Sequence, residues 1–157
     1  MFVRPLKDEE MPREILDVLQ ERFKGRNIPT AYRILARSPR LVMKFINFRD
    51  EVMKGGKIDP VLKEKIALKV SEINECSPCY VSHKRKLEVL NASESAESER
   101  EKVALDFVEA AVLNRGKVND DAFNELLRHF DEDEVLEIAL VVSLFMFLNT
   151  FNNLLVK

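Results

Sequence analysis

The chain has 157 residues, with 25 Lys+Arg against 27 Asp+Glu and a formal net charge of −2. That balance excludes the strongly basic surface by which nonspecific nucleic-acid binding is usually recognised. With 46% hydrophobic residues the chain is no acidic disordered tail either. Gly and Pro number 4 and 6, where average usage would give roughly 19 together, so turns are few and elements long. A chain of this length can bury roughly 70% of its unfolded surface in one domain. We divide that domain into an N-terminal helical extension, 1–26, and a main helical body, 27–157.

In chain order, periodicity and breaker residues predict helices near 11–24, 29–37, 39–54, 60–75, 78–90, 96–115, 120–130 and 132–154. Ser38-Pro39, Asp59-Pro60 and Ser77-Pro78 each pair a capping side chain with Pro at a first helical position. Gly25, Gly55 and Gly116 follow helical runs, as left-handed C-terminal caps do. Apolar residues recur at helical spacing in Leu41, Phe45, Phe48 and Val52, in Val103, Ala104, Phe107, Val108, Ala111 and Val112, and in Phe123, Leu126, Leu127 and Phe130. Residues 91–101, NASESAESERE, read as a polar surface connection whose serines offer several N-caps. Asp131 and Glu134 form an acidic variant of a capping box. No alternating strand pattern is present, and the fold class is all-α with about 7–8 helices.

The N-terminal residues show no apolar signal-peptide core, which predicts a cytoplasmic protein. The most apolar run, Ile138 to Leu148, is shorter than the ~20 residues that span a bilayer. Apolar nearly all round, this helix belongs in a core or a subunit interface, and in so short a chain it favours a homo-oligomer.

The two cysteines lie three apart, Cys76-Ser77-Pro78-Cys79, where one predicted helix closes and the next opens. Cys79 falls at about the second helical position. A thiolate there is stabilised by the helix N-terminus, and the spacing permits a disulfide. His83 is one turn beyond Cys79 on the same face and can take the thiol proton or pair with the thiolate. A zinc knuckle is the competing reading, but it would need a fourth ligand from Glu64, Glu72 or His129 beside the two cysteines and His83. His129 reads better as a helix C-terminal residue facing the dipole. We therefore expect no metal and no cofactor. Lys84-Arg85-Lys86 read as C-terminal helix charges, or else as a basic rim for an acidic partner.

The stretch DPVLKEKIALKVSEINECSPCYVSHKRKL, 59–87, resembles the AhpD-like branch of the carboxymuconolactone decarboxylase family. IPTAYRILARSPRLVMKFINF upstream and DEDEVLEIALVVSLFMFLNTFNN downstream are similar to its peroxidase-related members. The resemblance implies an all-helical fold, trimers or hexamers, and thiol peroxidase or disulfide reductase activity. It implies catalytic roles for Glu64, Cys76, Cys79 and His83: Glu64 and His83 relay a proton from Cys79, which a hydroperoxide oxidises, and Cys76 closes a disulfide. It further implies a dithiol electron donor, lipoyl-like or thioredoxin-like. Pro78 stands where the founding enzymes carry a second His, and Asn152-Asn153 where many relatives carry Asn-Arg.

Spacing alone does not select Glu64, which points roughly 120° away from Cys76 at ~100° per residue. Glu72, one turn before Cys76, is the nearer carboxylate, and Lys63, Lys65 and Lys69 suggest that this helix has a solvated charged side. Two other functions compete with peroxide or disulfide reduction: a redox-sensing or scaffold oligomer without turnover, and a cofactor-free lactone decarboxylase.

Overall fold

The computed structural model describes residues 3–156. Every regular element among them is helical. A 3-10 turn at Asp8–Glu10 precedes α1 (Arg13–Phe23), α2 (Thr30–Leu35), α3 (Pro39–Lys54), α4 (Pro60–Ile73), α5 (Ser77–Val89), α6 (Glu99–Leu113), α7 (Asp120–His129) and α8 (Glu132–Leu155). Each predicted helix is present, shifted by three residues or fewer at its ends. The described residues fall into two compact units, one drawn from Met1–Asp50 with Phe151–Lys157, the other Glu51–Thr150.

The first unit packs around Met11, Ile15, Leu19, Ile28, Ala36, Val42 and Ile46. A two-pronged Arg22–Asp50 ion pair at 2.7 and 2.5 Å joins α1 to α3. Arg33 donates to the Leu6 and Ile28 carbonyls at 3.0 and 3.3 Å. In α3 the buried positions are Val42, Ile46, Val52 and Met53, while Leu41 and Phe48 are about half exposed. Of the four residues read at helical spacing, Leu41, Phe45, Phe48 and Val52, Val52 is buried, Phe45 partly buried, and Leu41 and Phe48 exposed.

The second unit is organised on α4, which packs against α5 and α6, with α7 against α6. Leu62, Ile66, Ala67 and Val70 of α4 are buried, as are Ala104 and Val108 of α6 and Ile138, Val141 and Phe145 of α8. Asp59 caps α4 by accepting from the Val61 N–H at 2.7 Å, with Pro60 in the first turn. Ser98 is the serine that caps α6, accepting from Glu101 N–H at 3.1 Å. The Asp131–Glu134 capping box forms with both bonds at 2.9 Å.

Two expectations are corrected here. Lys63 and Lys65 are not solvated; each is 1% exposed. Lys63 donates to the Val52 and Gly55 carbonyls at 2.8 and 2.5 Å and pairs with Glu137 at 3.1 Å. Lys65 bonds Glu97 and Glu101 at 2.9 and 2.8 Å. Their aliphatic stems fill core space while their ammonium groups find anions and orphan carbonyls. The second correction concerns α8. The helix continues past the Ile138–Leu148 run to Leu155, and among the described residues it is the one helix long and apolar enough, by length and composition, to cross a membrane. It is nevertheless built as a core helix, with Ile138, Val141, Phe145 and even Asn149 buried.

The chain turns from α3 to α4 at Gly56 (φ +86), whereas Gly55, expected to be left-handed, is not. Glu137 of α8 reaches into this turn, accepting from Lys57 and Ile58 N–H at 2.6 and 3.0 Å. A Cβ on Gly56 would overlap the Glu137 carboxylate. Gly56→Ala is expected to cost about 2 kcal/mol, from the left-handed backbone and the displaced carboxylate together, measurable as a lower urea midpoint.

Candidate functional site: a cysteine pair at a helix start

At its C-terminus α4 turns through Glu75, a non-glycine residue at φ +52. The Cys76 N–H bonds back to the Ser71 carbonyl at 2.9 Å and the Glu75 N–H to that of Glu72 at 3.0 Å, a Schellman-type ending. This turn sends α5 back along α4. Cys76 is the N-cap of α5, and its carbonyl accepts the first helical bond from Tyr80 N–H at 2.9 Å. Ser77, expected as the cap, is the first helical residue, and Cys79 sits at the third position rather than the second. Cys79 thus remains within the first turn, where free N–H groups and the dipole favour a thiolate.

Cys76 and Cys79 form a disulfide with Cα atoms 5.3 Å apart. Cys76 is fully buried and Cys79 is 8% exposed. His83, one turn after Cys79, is 3% exposed and meets Phe145 of α8 edge-on, ring centroids 4.5 Å apart. His83 Nδ1 lies 2.5 Å from Glu64 Oε2, and Lys86 Nζ donates to Glu64 Oε1 at 3.0 Å.

Burial pushes the Glu64 carboxyl up, but the His83 hydrogen bond and the charges of Lys86 and His83 outweigh it and hold it at about 2. Glu64 is therefore ionised at neutral pH and can only accept. Nδ1 of His83 must carry the hydrogen, which leaves Nε2 of the neutral ring as a base.

The structure thus brings Glu64 to His83 across nineteen residues of sequence, because α5 folds back on α4. Glu72 is exposed and makes no such contact. Three supports carry no sequence signal that points to the site: Lys86, read as a terminal helix charge, Phe145, and Asn149. The Asn149 amide is within 3.2 Å of both Asn74 and the Ser71 hydroxyl, bracing the turn that delivers Cys76. His129 lies on α7 and faces Glu125 at 3.5 Å.

A pocket of about 350 Å³ opens beside Cys76, walled by Tyr80 and Val81 and rimmed by Glu72 and Glu75. Lys84 is paired with Glu94 at 2.9 Å and Lys86 with Glu64, so two of the three basic residues after His83 are engaged.

The carboxymuconolactone decarboxylase family model matches residues 39–104, which contain all four of these residues. Among curated proteins none matches the sequence. Among solved structures the chain is similar to the debrominase Bmp8, at 21% identity, TM-score 0.85, and 98% and 89% of the two chains covered. A peroxidase-related protein from Silicibacter sp. TM1040 gives 19% identity, TM-score 0.85, and coverages of 98% and 90%. A peroxidase-related protein from Ralstonia eutropha JMP134, described as an alkylhydroperoxidase AhpD core, gives 22%, 0.80, and 95% and 86%. These likenesses establish the fold. The chain thus carries a segment, residues 39–104, that matches the carboxymuconolactone decarboxylase family model, within a helical fold shared with AhpD-like structures.

Proposed function

We propose that the protein is a cytoplasmic thiol peroxidase or disulfide reductase in which Cys79 is the nucleophile and Cys76 the resolving thiol. The observation that carries this reading is the Glu64–His83 contact one helical turn from Cys79. In the reduced protein, His83 Nε2 takes the Cys79 proton while Glu64 holds the ring by Nδ1 and stabilises the imidazolium. The thiolate attacks the terminal oxygen of a hydroperoxide, the O–O bond breaks, and an alcohol leaves with the proton from His83. Cys79 is then a sulfenic acid. The Cys76 thiol displaces its oxygen as water and forms the disulfide present in this structure. A dithiol returns the pair to two thiols and leaves as its own disulfide.

No cofactor or metal takes part in these steps. Homo-oligomers are part of the proposal. Leu136 and Phe147 of α8 are more than half exposed and, with Leu140 and Ser143, follow an alternating four- and three-residue spacing. Such a seam, apolar but for Ser143, suits a second helix.

The test is turnover. With a dithiol in excess, the wild type is expected to consume many equivalents of an alkyl hydroperoxide per chain. Consumption of a single equivalent and then silence would establish the redox-sensor reading instead. The relay has its own test in the reduced protein, by thiolate absorbance against pH. Glu64→Gln should raise the Cys79 pKa by about one unit, since an uncharged amide no longer stabilises the imidazolium, and Glu72→Gln should leave it in place.

A further inference from the structure

Glu64 and His83 alone would make a poor base. A nearly buried carboxylate 2.5 Å from an imidazole favours the imidazolium, and a ring that already carries its second proton cannot take one from a thiol. The other charges around the pair therefore decide what His83 can do. On α5, Lys86 stands one turn after His83 on the same face. It donates at 3.0 Å to the Glu64 oxygen that His83 does not use. Lys84, beside His83 in sequence, is turned to Glu94 at 2.9 Å. On α4, Lys63 and Lys65 flank Glu64 in sequence but are committed elsewhere, to Glu137 at 3.1 Å and to Glu97 and Glu101 at 2.9 and 2.8 Å. From α6, Glu101 and Glu109 meet Lys65 and Lys69 of α4. From α8 the His83 ring meets Phe145, and the sequence from Ile138 to Val156 contains no ionisable residue.

Among the described residues, Lys86 is thus the lysine bonded to Glu64. Its side chain is 39% exposed and that of Glu64 12%. The ammonium reaches the carboxylate from the solvent side and keeps part of its own hydration. Its charge nevertheless acts on a pair that is nearly buried, where screening is weak.

We infer that Lys86 is a positioning residue of the relay that acts on His83 through Glu64: it offsets the carboxylate's charge, so the ring stays neutral and able to take the Cys79 proton at neutral pH. The inference rests on the redox reading of the cysteine pair. In the step it serves, one proton passes from Cys79 Sγ to His83 Nε2, and Glu64 and Lys86 keep their charges. Without Lys86 the carboxylate is uncompensated, and the imidazolium forms at higher pH. The shift is about one unit for a charge a few ångströms away in a partly exposed site. As pH falls, the ring is then charged sooner and the base is lost sooner.

Histidine occurs only at His83 and His129, so the imidazole resonances give both titrations in one set of spectra of the oxidised full-length protein. Lys86→Gln is expected to raise the His83 midpoint by about one unit, and Lys86→Arg, which keeps the charge, to leave it in place. His129, on α7 beside Glu125, should be unmoved in both variants and serves as the internal standard. A His83 midpoint that stays or falls in Lys86→Gln, or that moves as far in Lys86→Arg, would overturn the inference. The reduced protein gives a second readout, hydroperoxide consumption against pH. In Lys86→Gln its acid limb should move up by the same amount, a loss of up to about tenfold below the limb, while the alkaline plateau is kept. An equal loss at every pH would make Lys86 a structural support only and would also overturn the inference. The imidazole titration needs no peroxide. A shifted His83 midpoint in a protein that consumes no hydroperoxide would remove the peroxidase reading alone.

Discussion

Cys79→Ser is expected to abolish hydroperoxide turnover, by on the order of 10³-fold or more, because no other thiol sits on the His83 face of α5. Cys76→Ser is expected to fail differently. Its Cys79 should still react once, at a rate near that of the wild type, and then stop as a sulfenic acid with no resolving thiol beside it. Trapping with a sulfenic-acid reagent and mass measurement checks this: one adduct on Cys79 in Cys76→Ser, none on Cys76 in Cys79→Ser. Continued peroxide then drives the stalled residue to sulfinic acid, which dithiols do not reverse. A Cys79→Ser protein that retained turnover would reverse the assigned roles.

The second large effect is on stability. Lys63→Met is expected to cost about 3 kcal/mol, despite keeping most of the apolar stem. The change strips a donor from the Val52 and Gly55 carbonyls and a cation from Glu137, all in or beside buried structure. For a chain of this size that lowers the melting temperature by about 10 °C, as thermal unfolding of the two proteins side by side would record. Acid should act on the same junction. Burial pushes the Glu137 carboxyl up, but the Lys57 and Ile58 N–H groups and Lys63 outweigh it and hold it below the ordinary range. Glu64 is likewise held at about 2 against an ordinary 4.5. A carboxyl lowered on folding stabilises the fold fully above its unfolded pKa and loses that contribution as pH falls through its folded one. Stability should therefore be level above pH about 5 and fall from there towards pH about 2.

The helices were readable because breaker residues are so scarce that each one carries meaning. Pro39, Pro60 and Pro78 stand in first turns, and Ser98, Asp59 and the Asp131–Glu134 pair mark starts by local chemistry alone. Cys76, Cys79 and His83 were readable for the same reason, since a three- or four-residue spacing places side chains on one helical face. Glu64 was not, because its partner is set by the return of α5 along α4, and residue spacing on one helix cannot show what a second helix brings. The family resemblance supplied it. Lys63 and Lys65 were misread by the rule that lysines are solvated, which holds until orphan carbonyls or carboxylates lie within reach of the ammonium group.

The double engagement of Glu64, by His83 on one oxygen and Lys86 on the other, has a consequence for charge balance. Before proton transfer the group of four carries a carboxylate, an ammonium, a neutral ring and a neutral thiol, and sums to zero. After transfer it carries a carboxylate, an ammonium, an imidazolium and a thiolate, and still sums to zero. The thiol is activated by moving a proton inside the site, with no ion drawn from solvent. Ionic strength should then leave the peroxide step nearly unmoved.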